Sequence, residues 1–87
     1  MKTVSEVIIN GQVVEIKSRP ADNATSGWSV IAFTPHCSVR CTRLHSPLAL
    51  KCFVEAIISA TIGDADVDVG LYDQVTAEVL SLTDLDG

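Results

Sequence analysis

The fold is decided by residues 46–63, SPLALKCFVEAIISATIG, which predict one long helix. Ser46 is a favourable N-cap, Pro47 occupies a first helical position where its missing N–H costs no hydrogen bond, and Gly63 favours a left-handed stop. One face combines six residues at helical spacing: Leu50, Phe53, Val54, Ile57, Ile58 and Thr61. A stripe of small residues adjoins that face: Ala49, Cys52, Ala56 and Ala60. Because few polar residues remain, we expect the helix to be covered over most of its circumference.

A β-hairpin is predicted over residues 4–18 around Asn10-Gly11, because both central residues of a type I′ turn need a positive φ. A two-residue turn sets Glu6 directly opposite Glu15, which is a modest repulsion. The alternation places four apolar side chains on the core face: Val7, Ile9, Val14 and Ile16. Two more fall on the opposite face, where another element or a partner is expected to cover them: Ile8 and Val13.

The middle of the chain predicts two further strands. A loop over residues 19–27 is rich in turn-forming residues and leads into a strand at 28–34. Pro35-His36 closes that strand, and alternation of apolar and polar residues predicts another strand at 37–44. We expect Arg40 to lie on the side of this strand that faces water.

After the long helix, residues 64–70 predict either a loop or a short strand with Val67 and Val69 directed inward. Apolar residues then recur at helical spacing and predict a second helix over 71–82: Leu71, Val75, Val79 and Leu82. We therefore expect one α+β domain over residues 1–87. It would consist of an antiparallel three- to four-stranded sheet packed on the main helix, with the second helix at its C-terminal end.

The composition predicts a soluble cytoplasmic protein. Apolar residues make up 47% of the 87, which is enough to fill a core at a size that buries roughly 60–65% of the unfolded surface. No apolar run approaches the ~20 residues of a membrane span, and residues 1–10 lack the pattern of a signal peptide. Three cysteines, an odd number, do not fit a secreted disulfide framework.

Charge divides the chain into two parts. Residues 1–53 carry six cations and three anions, whereas residues 54–87 carry eight anions and no cation. An acidic region without Lys or Arg is disfavoured as a nucleic-acid contact, since neutralising phosphates supplies most of that affinity. It suits a basic protein partner instead. We expect the partner contacts to include six acidic residues: Glu55, Asp64, Asp66, Asp68, Asp73 and Glu78.

Soft metal ligands are crowded between residues 36 and 52: His36, Cys37, Cys41, His45 and Cys52. On one strand, Cys37 and Cys41 would lie about 13 Å apart, which does not fit the tight knuckle of a structural zinc site. We expect buried cysteines that act as small apolar residues. A small zinc- or thiol-dependent protein that uses Cys37, Cys41 and His45 stays open as an alternative.

The acidic triplet Asp64, Asp66 and Asp68 resembles the opening of a calcium loop. The glycine falls at the seventh position of that loop instead of the sixth, and the twelfth position is Val75 where a bidentate Glu is required. A solvated acidic loop is the better interpretation, so no metal is expected there.

Catalysis and nucleic-acid binding are both disfavoured. Cys37 could pair with His36 or His45, but no orienting third group and no glycine-rich oxyanion turn accompany them, so we expect neither enzyme activity nor a cofactor. A nucleic-acid surface would use Trp28 for stacking and four cations on one sheet face: Lys17, Arg19, Arg40 and Arg43. Solvated arginines and a tryptophan in the core are the plainer interpretation.

The order of motifs from about residue 13 to residue 58 resembles the small βββα domain of HicB-type antitoxins. The motifs that carry the resemblance are Gly27-Trp28-Ser29-Val30, Pro35, Cys37, Ser46, Ala49 and Glu55-Ala56-Ile57. The sequence departs from that pattern at His36, which replaces the turn glycine, and at Pro47-Leu48, where an acidic pair would follow the cap. The resemblance implies a non-catalytic domain that binds and occludes a basic nucleic-acid-handling protein. Small phage inhibitors of CRISPR complexes are similar in size and acidity.

We therefore predict a non-catalytic, acidic protein-binding module. It would act as an inhibitor or antitoxin-type protein on a basic, nucleic-acid-handling partner, such as a toxin nuclease or a phage-defence complex of the CRISPR type. Ile8, Val13 and the nearly all-round apolar helix predict a homodimer. A purely structural homodimer is therefore a further alternative to the partner-binding module.

Overall fold

The computed structural model describes residues 2–21, 27–63 and 69–83. The described residues form four strands followed by two helices: β1 (Val4–Ile9), β2 (Gln12–Pro20), β3 (Trp28–Phe33), β4 (Ser38–Leu44), α1 (Pro47–Ile62) and α2 (Val69–Ser81). The predicted α+β class is confirmed. None of these helices is long and apolar enough to cross a membrane.

The sheet is antiparallel throughout, and its strands lie in the order of the chain, from β1 to β4. The predicted hairpin is confirmed, because Asn10 and Gly11 have φ of 53° and 81° and Glu6 lies opposite Glu15. The prediction of a loop from residue 19 is wrong by two residues. Arg19 and Pro20 continue β2 and pair with β3, since the backbone there stays within reach of the neighbouring strand.

A bulge interrupts the pairing of β3 with β4. Trp28 lies opposite Leu44 and Val30 lies opposite Cys41, so β4 contributes one residue more than β3 between these two pairs. A bulge of this kind bends the strand and increases its local twist. Gly27, just before the bulge, has a φ of 115° and passes close to the backbone of Leu44.

Helix α1 has the predicted ends and the predicted core face. The Ser46 hydroxyl accepts a hydrogen bond from the Ala49 N–H at 3.2 Å, and the Gly63 N–H donates to the Ser59 carbonyl at 2.8 Å. The six residues predicted to face the core are the buried ones. The prediction that most of the circumference is covered is wrong, because Cys52 and Ala56 are exposed. In this two-layer arrangement α1 packs on the sheet and beside α2, and its outer side is left to solvent.

Helix α2 begins two residues earlier than predicted and ends one residue earlier. Val75 and Val79 are buried, and Leu82 is buried just after the helix, where its carbonyl accepts a hydrogen bond from the Ser18 hydroxyl at 2.7 Å. The inward prediction for Val69 is wrong, because this residue starts the helix and is 73% exposed. Val67 and the rest of 64–68 lie outside the described residues.

The two faces of the sheet have different surroundings. The inner face packs against both helices, with α1 over β4 and α2 over β1, and it carries the buried residues of the hairpin. Trp28 is half-buried and packs against this core, as predicted. The opposite side is called the open sheet face here and is formed by alternate residues of the strands: Val4, Glu6, Ile8, Val13, Glu15, Lys17, Arg19, Ser29, Ile31, Phe33, Ser38 and Arg40.

Candidate interaction surfaces

The acidic residues predicted to contact a partner are placed in part. Glu55 is exposed on α1 and Asp73 is exposed on α2. These two helices pack side by side, so both carboxylates belong to the helical layer. Asp64, Asp66 and Asp68 lie outside the described residues.

Glu78, also predicted to contact a partner, has contacts within the chain. The Ser5 hydroxyl donates a hydrogen bond to Glu78 Oε2, and Lys2 Nζ lies 4.0 Å from the same oxygen. Ser5 is nearly buried on the inner side of β1, so this bond joins α2 to the edge of the sheet. This contact was not predicted from the sequence. A polar residue at an inward position of β1 was the signal that could have indicated it.

The cysteines and histidines are not gathered into one cluster. Cys37 is exposed in the turn before β4, where its N–H donates to Thr34 Oγ1 at 3.0 Å, and Cys52 is exposed on α1. The expectation of buried cysteines is therefore wrong for these two, because one lies in a turn and the other on the outer side of the helix. Only Cys41 is half-buried among the three. Within the described ranges, no group of three His, Cys, Asp or Glu residues could hold a metal ion.

A shallow apolar groove of about 300 Å³ separates β4 from α1. It is lined by Val39, Arg40, Cys41, Ala49, Cys52, Phe53 and Ala56. The small side chains of the α1 stripe leave this space open, because alanine and cysteine do not reach the neighbouring strand. Among the described strands, β4 is at the edge of the sheet and pairs with β3 alone.

The open sheet face combines exposed apolar side chains with charges of both signs. Four of its apolar residues are largely exposed: Val4, Ile8, Val13 and Phe33. Ile8 and Val13 were predicted there, whereas Phe33 was missed. Alternation along the predicted strand 28–34 could have indicated it, since Ile31 and Phe33 share one side of that strand.

The charges of the open sheet face are arranged in rows across the strands. Lys17, Ile31 and Arg40 lie in one row, and Glu6, Glu15 and Phe33 lie in the adjacent row. Within the chain, Lys17 Nζ lies 3.5 Å from Glu15 Oε1 and 5.7 Å from the centroid of the Phe33 ring.

A groove of about 300 Å³ runs along the row that contains Lys17 and Arg40, and none of the described residues that line it is acidic. Its lining residues are Lys17, Ser18, Arg19, Ser29, Ile31, Arg40 and Thr42. The arrangement weighed in the sequence as an alternative, with Trp28 beside these cations on one face, is not formed, because Trp28 packs on the other side of the sheet, against the core.

The chain was compared with protein-family models, with curated proteins and with solved structures, and none of the three comparisons gives a match. The resemblance to HicB-type antitoxins and to phage inhibitors stays a prediction.

Proposed function

We propose that the protein is a non-catalytic binding protein whose acidic helical layer occludes a basic partner that handles nucleic acid. The observation that carries this proposal is the separation of charge between the two layers. Glu55 and Asp73 are exposed on adjacent helices. Among the described residues of these two helices, Lys51 is the single cation. Most of the remaining described cations belong to the sheet, on the other side of the molecule.

The mechanism is electrostatic complementarity. An anionic layer steers a cationic surface into encounter, and it discriminates against partners whose surfaces carry the same sign. The same cationic surface of the partner would bind nucleic acid, so the two ligands would compete for it. The resemblance to small antitoxin and phage-inhibitor domains supports this type of partner, and action in the cytoplasm is part of the proposal.

The test compares two double neutralisations that each remove two anions. Glu55→Gln with Asp73→Asn alters the helical layer, whereas Glu6→Gln with Glu15→Gln alters the open sheet face. Each purified chain is immobilised and exposed to a lysate of the native host, and captured proteins are identified by mass spectrometry. We expect the wild type and the sheet variant to capture the same basic nucleic-acid-handling protein, and the helical variant to capture less of it. Equal capture by all three chains would contradict the proposal.

Salt dependence gives a second test with the captured partner. Replacing Asp64, Asp66 and Asp68 together by asparagine removes three anions from the acidic part of the sequence, residues 54–87. The affinity should fall by about tenfold at low salt, and the dependence of affinity on salt should become flatter. A wild-type affinity that does not change between low and high salt would contradict electrostatic recognition.

The protein also forms a homodimer in this proposal. The supporting observation is the set of exposed apolar side chains on the open sheet face, because a patch of this kind on a small soluble domain commonly marks an interaction site. Size-exclusion chromatography with light scattering measures the mass directly. The zinc- or thiol-dependent alternative gains no support from the positions of Cys37, Cys41 and His45.

A further inference from the structure

We infer that the open sheet face binds the open sheet face of a second copy, with the Glu15 row of each copy lying against the Lys17 row of the other. This inference rests on the homodimer proposed above and names its interface. The occupant is a second copy of this chain because the pattern of charge and apolar residues at the centre of the face, on β2 and β3, is complementary to itself.

The two rows at the centre of the open sheet face carry opposite charges. On the central strands β2 and β3, Glu15 pairs with Phe33 in one row. Lys17 pairs with Ile31 in the adjacent row of the same face. On these two strands each row therefore holds one charge and one apolar side chain. The edge strands add a second charge of the same sign to each row, Glu6 to the Glu15 row and Arg40 to the Lys17 row, so the two rows have opposite charges. A two-fold axis between the rows exchanges them.

The orientation of the two-fold axis decides which residues of the two copies meet. Two facing sheets can be related by an axis that lies between them, perpendicular to the strands and level with Ile16 and Ala32. This axis sets Glu15 against Lys17 of the second copy and Phe33 against Ile31 of the second copy. Each contact occurs twice, as in every interface with two-fold symmetry.

An axis parallel to the strands gives a poorer match. It reverses the order of the strands and keeps each row opposite itself, so that Glu15 would face Phe33 and Lys17 would face Ile31 of the second copy. Both charges would then be placed against apolar side chains, which costs free energy without a compensating partner. Packed sheets also cross at about −30°, so residues close to the axis stay opposite each other better than residues far from it. The Glu15 row and the Lys17 row are the two rows closest to the axis.

Each copy contains an unfavourable contact on the open sheet face. Glu6 and Glu15 lie directly opposite each other, and like charges in that position destabilise a sheet. Lys17 of the second copy would place a further cation beside these carboxylates. Glu15 and Lys17 are free to rearrange, since their side chains are 43% and 51% exposed.

The size of the face predicts a reversible dimer. Strands about 4.8 Å apart and about six residues long, at about 3.3 Å per residue, give the four-stranded sheet of the described residues a face of about 19 Å by 20 Å. A contact of about 380 Å² on each copy is smaller than a standard stable interface, so the dimer should be weak and in equilibrium with the monomer.

The decisive experiment is a charge swap followed by sedimentation equilibrium of the full chain over a range of concentrations. Glu15→Lys alone and Lys17→Glu alone each set like charges against each other at two symmetric positions, so each should weaken the dimer by at least about tenfold. The double variant with both substitutions should restore the wild-type dissociation constant. Circular dichroism of each variant checks that the fold is kept.

The control is Ala56→Glu, in the groove between β4 and α1, which should leave the dissociation constant unchanged. A monomeric wild type would overturn the inference, as would a dimer that Ala56→Glu dissociates and Glu15→Lys does not. Binding of a single-stranded oligonucleotide that is lost in Lys17→Glu would also overturn it, by assigning the face to nucleic acid. Capture of a partner by the helical layer is tested separately, by the loss of capture in Glu55→Gln with Asp73→Asn, so failure of the dimer inference and failure of the partner proposal are distinguishable.

Discussion

On β1, Ile8 and Ile9 are neighbours in the sequence, yet Ile9 is fully buried on the inner face of the sheet and Ile8 is 60% exposed on the open sheet face. The inner face is covered by α1 and α2, so its apolar residues contribute to folding. The open sheet face is not covered by either of these helices, so its apolar residues contribute little to the stability of one copy. The same residue type therefore contributes to the core on one side of β1, and on the other side it is available for the interaction that we propose.

The largest expected effect comes from truncating these two isoleucines separately. Ile9→Ala should lower the free energy of unfolding by about 2–5 kcal/mol, because it leaves a cavity in the packed core. Ile8→Ala should change it by no more than about 0.5 kcal/mol, since the side chain is mostly in water. Urea denaturation of both variants measures the difference. Equal losses would mean that the open sheet face is also part of the folding core.

How far this comparison could be predicted from sequence depends on the residue. The alternation that buries Ile9 and Ile16 is a local pattern, and so is the helical spacing that buries Ile57 in α1, so the inner face was predicted correctly. The exposure of Cys52 was not predicted, because it depends on how many layers surround the helix. A repeat in the sequence shows which side of a helix is buried but not how far the cover extends.

The candidate sites were harder to predict for a related reason. The hydrogen bond from Ser5 to Glu78 joins residues 73 positions apart, and no local pattern indicates such a pair. The exposure of Phe33 follows from alternation along β3, but its neighbours Glu15 and Lys17 are known only from the pairing of the strands. Cross-strand rows therefore had to come from the structure.

A second prediction concerns the backbone that brings β3 against the end of β4. Gly27→Ala should destabilise the protein by about 2–3 kcal/mol, because the new Cβ would lie 2.9 Å from the Leu44 carbonyl oxygen in a backbone of positive φ. Gly11→Ala is the matched control. Its φ is also positive, at 81°, but apart from its chain neighbours no atom of the described residues lies within 4 Å of the added Cβ, so it should cost only about 1 kcal/mol. Thermal unfolding compares the two, and a Gly11→Ala loss as large as that of Gly27→Ala would refute the close contact.

A third prediction concerns the cap of the helix that covers the inner face. Ser46→Ala should lower the free energy of unfolding by about 1 kcal/mol, because the Ala49 N–H loses its acceptor. Ser59→Ala on the exposed side of α1 is the control and should be neutral or slightly stabilising, since alanine has the higher helix propensity. Guanidinium denaturation of both variants is sufficient. A neutral Ser46→Ala would show that the cap contributes nothing to stability.

The smallest expected effect on folding is on the open sheet face itself. Lys17→Ala removes an exposed ion pair with Glu15 and should change the stability of the monomer by less than about 0.5 kcal/mol. Measuring the free energy of unfolding at a concentration below the dimer dissociation constant gives the stability of the monomer alone. A loss well above that value would give Lys17 a role in folding, and the contrast between the two faces would be weaker.

Nuclear magnetic resonance of the full chain on dilution tests the contrast most directly. Backbone shifts of Val13, Ile31 and Phe33 and methyl shifts of Val13 and Ile31 should move together with protein concentration, while those of Ile9 and Val14 on the inner face stay fixed. We expect the moving resonances to map to the open sheet face. Shifts that do not depend on concentration, or that move at Cys52 and Ala56 instead, would contradict it.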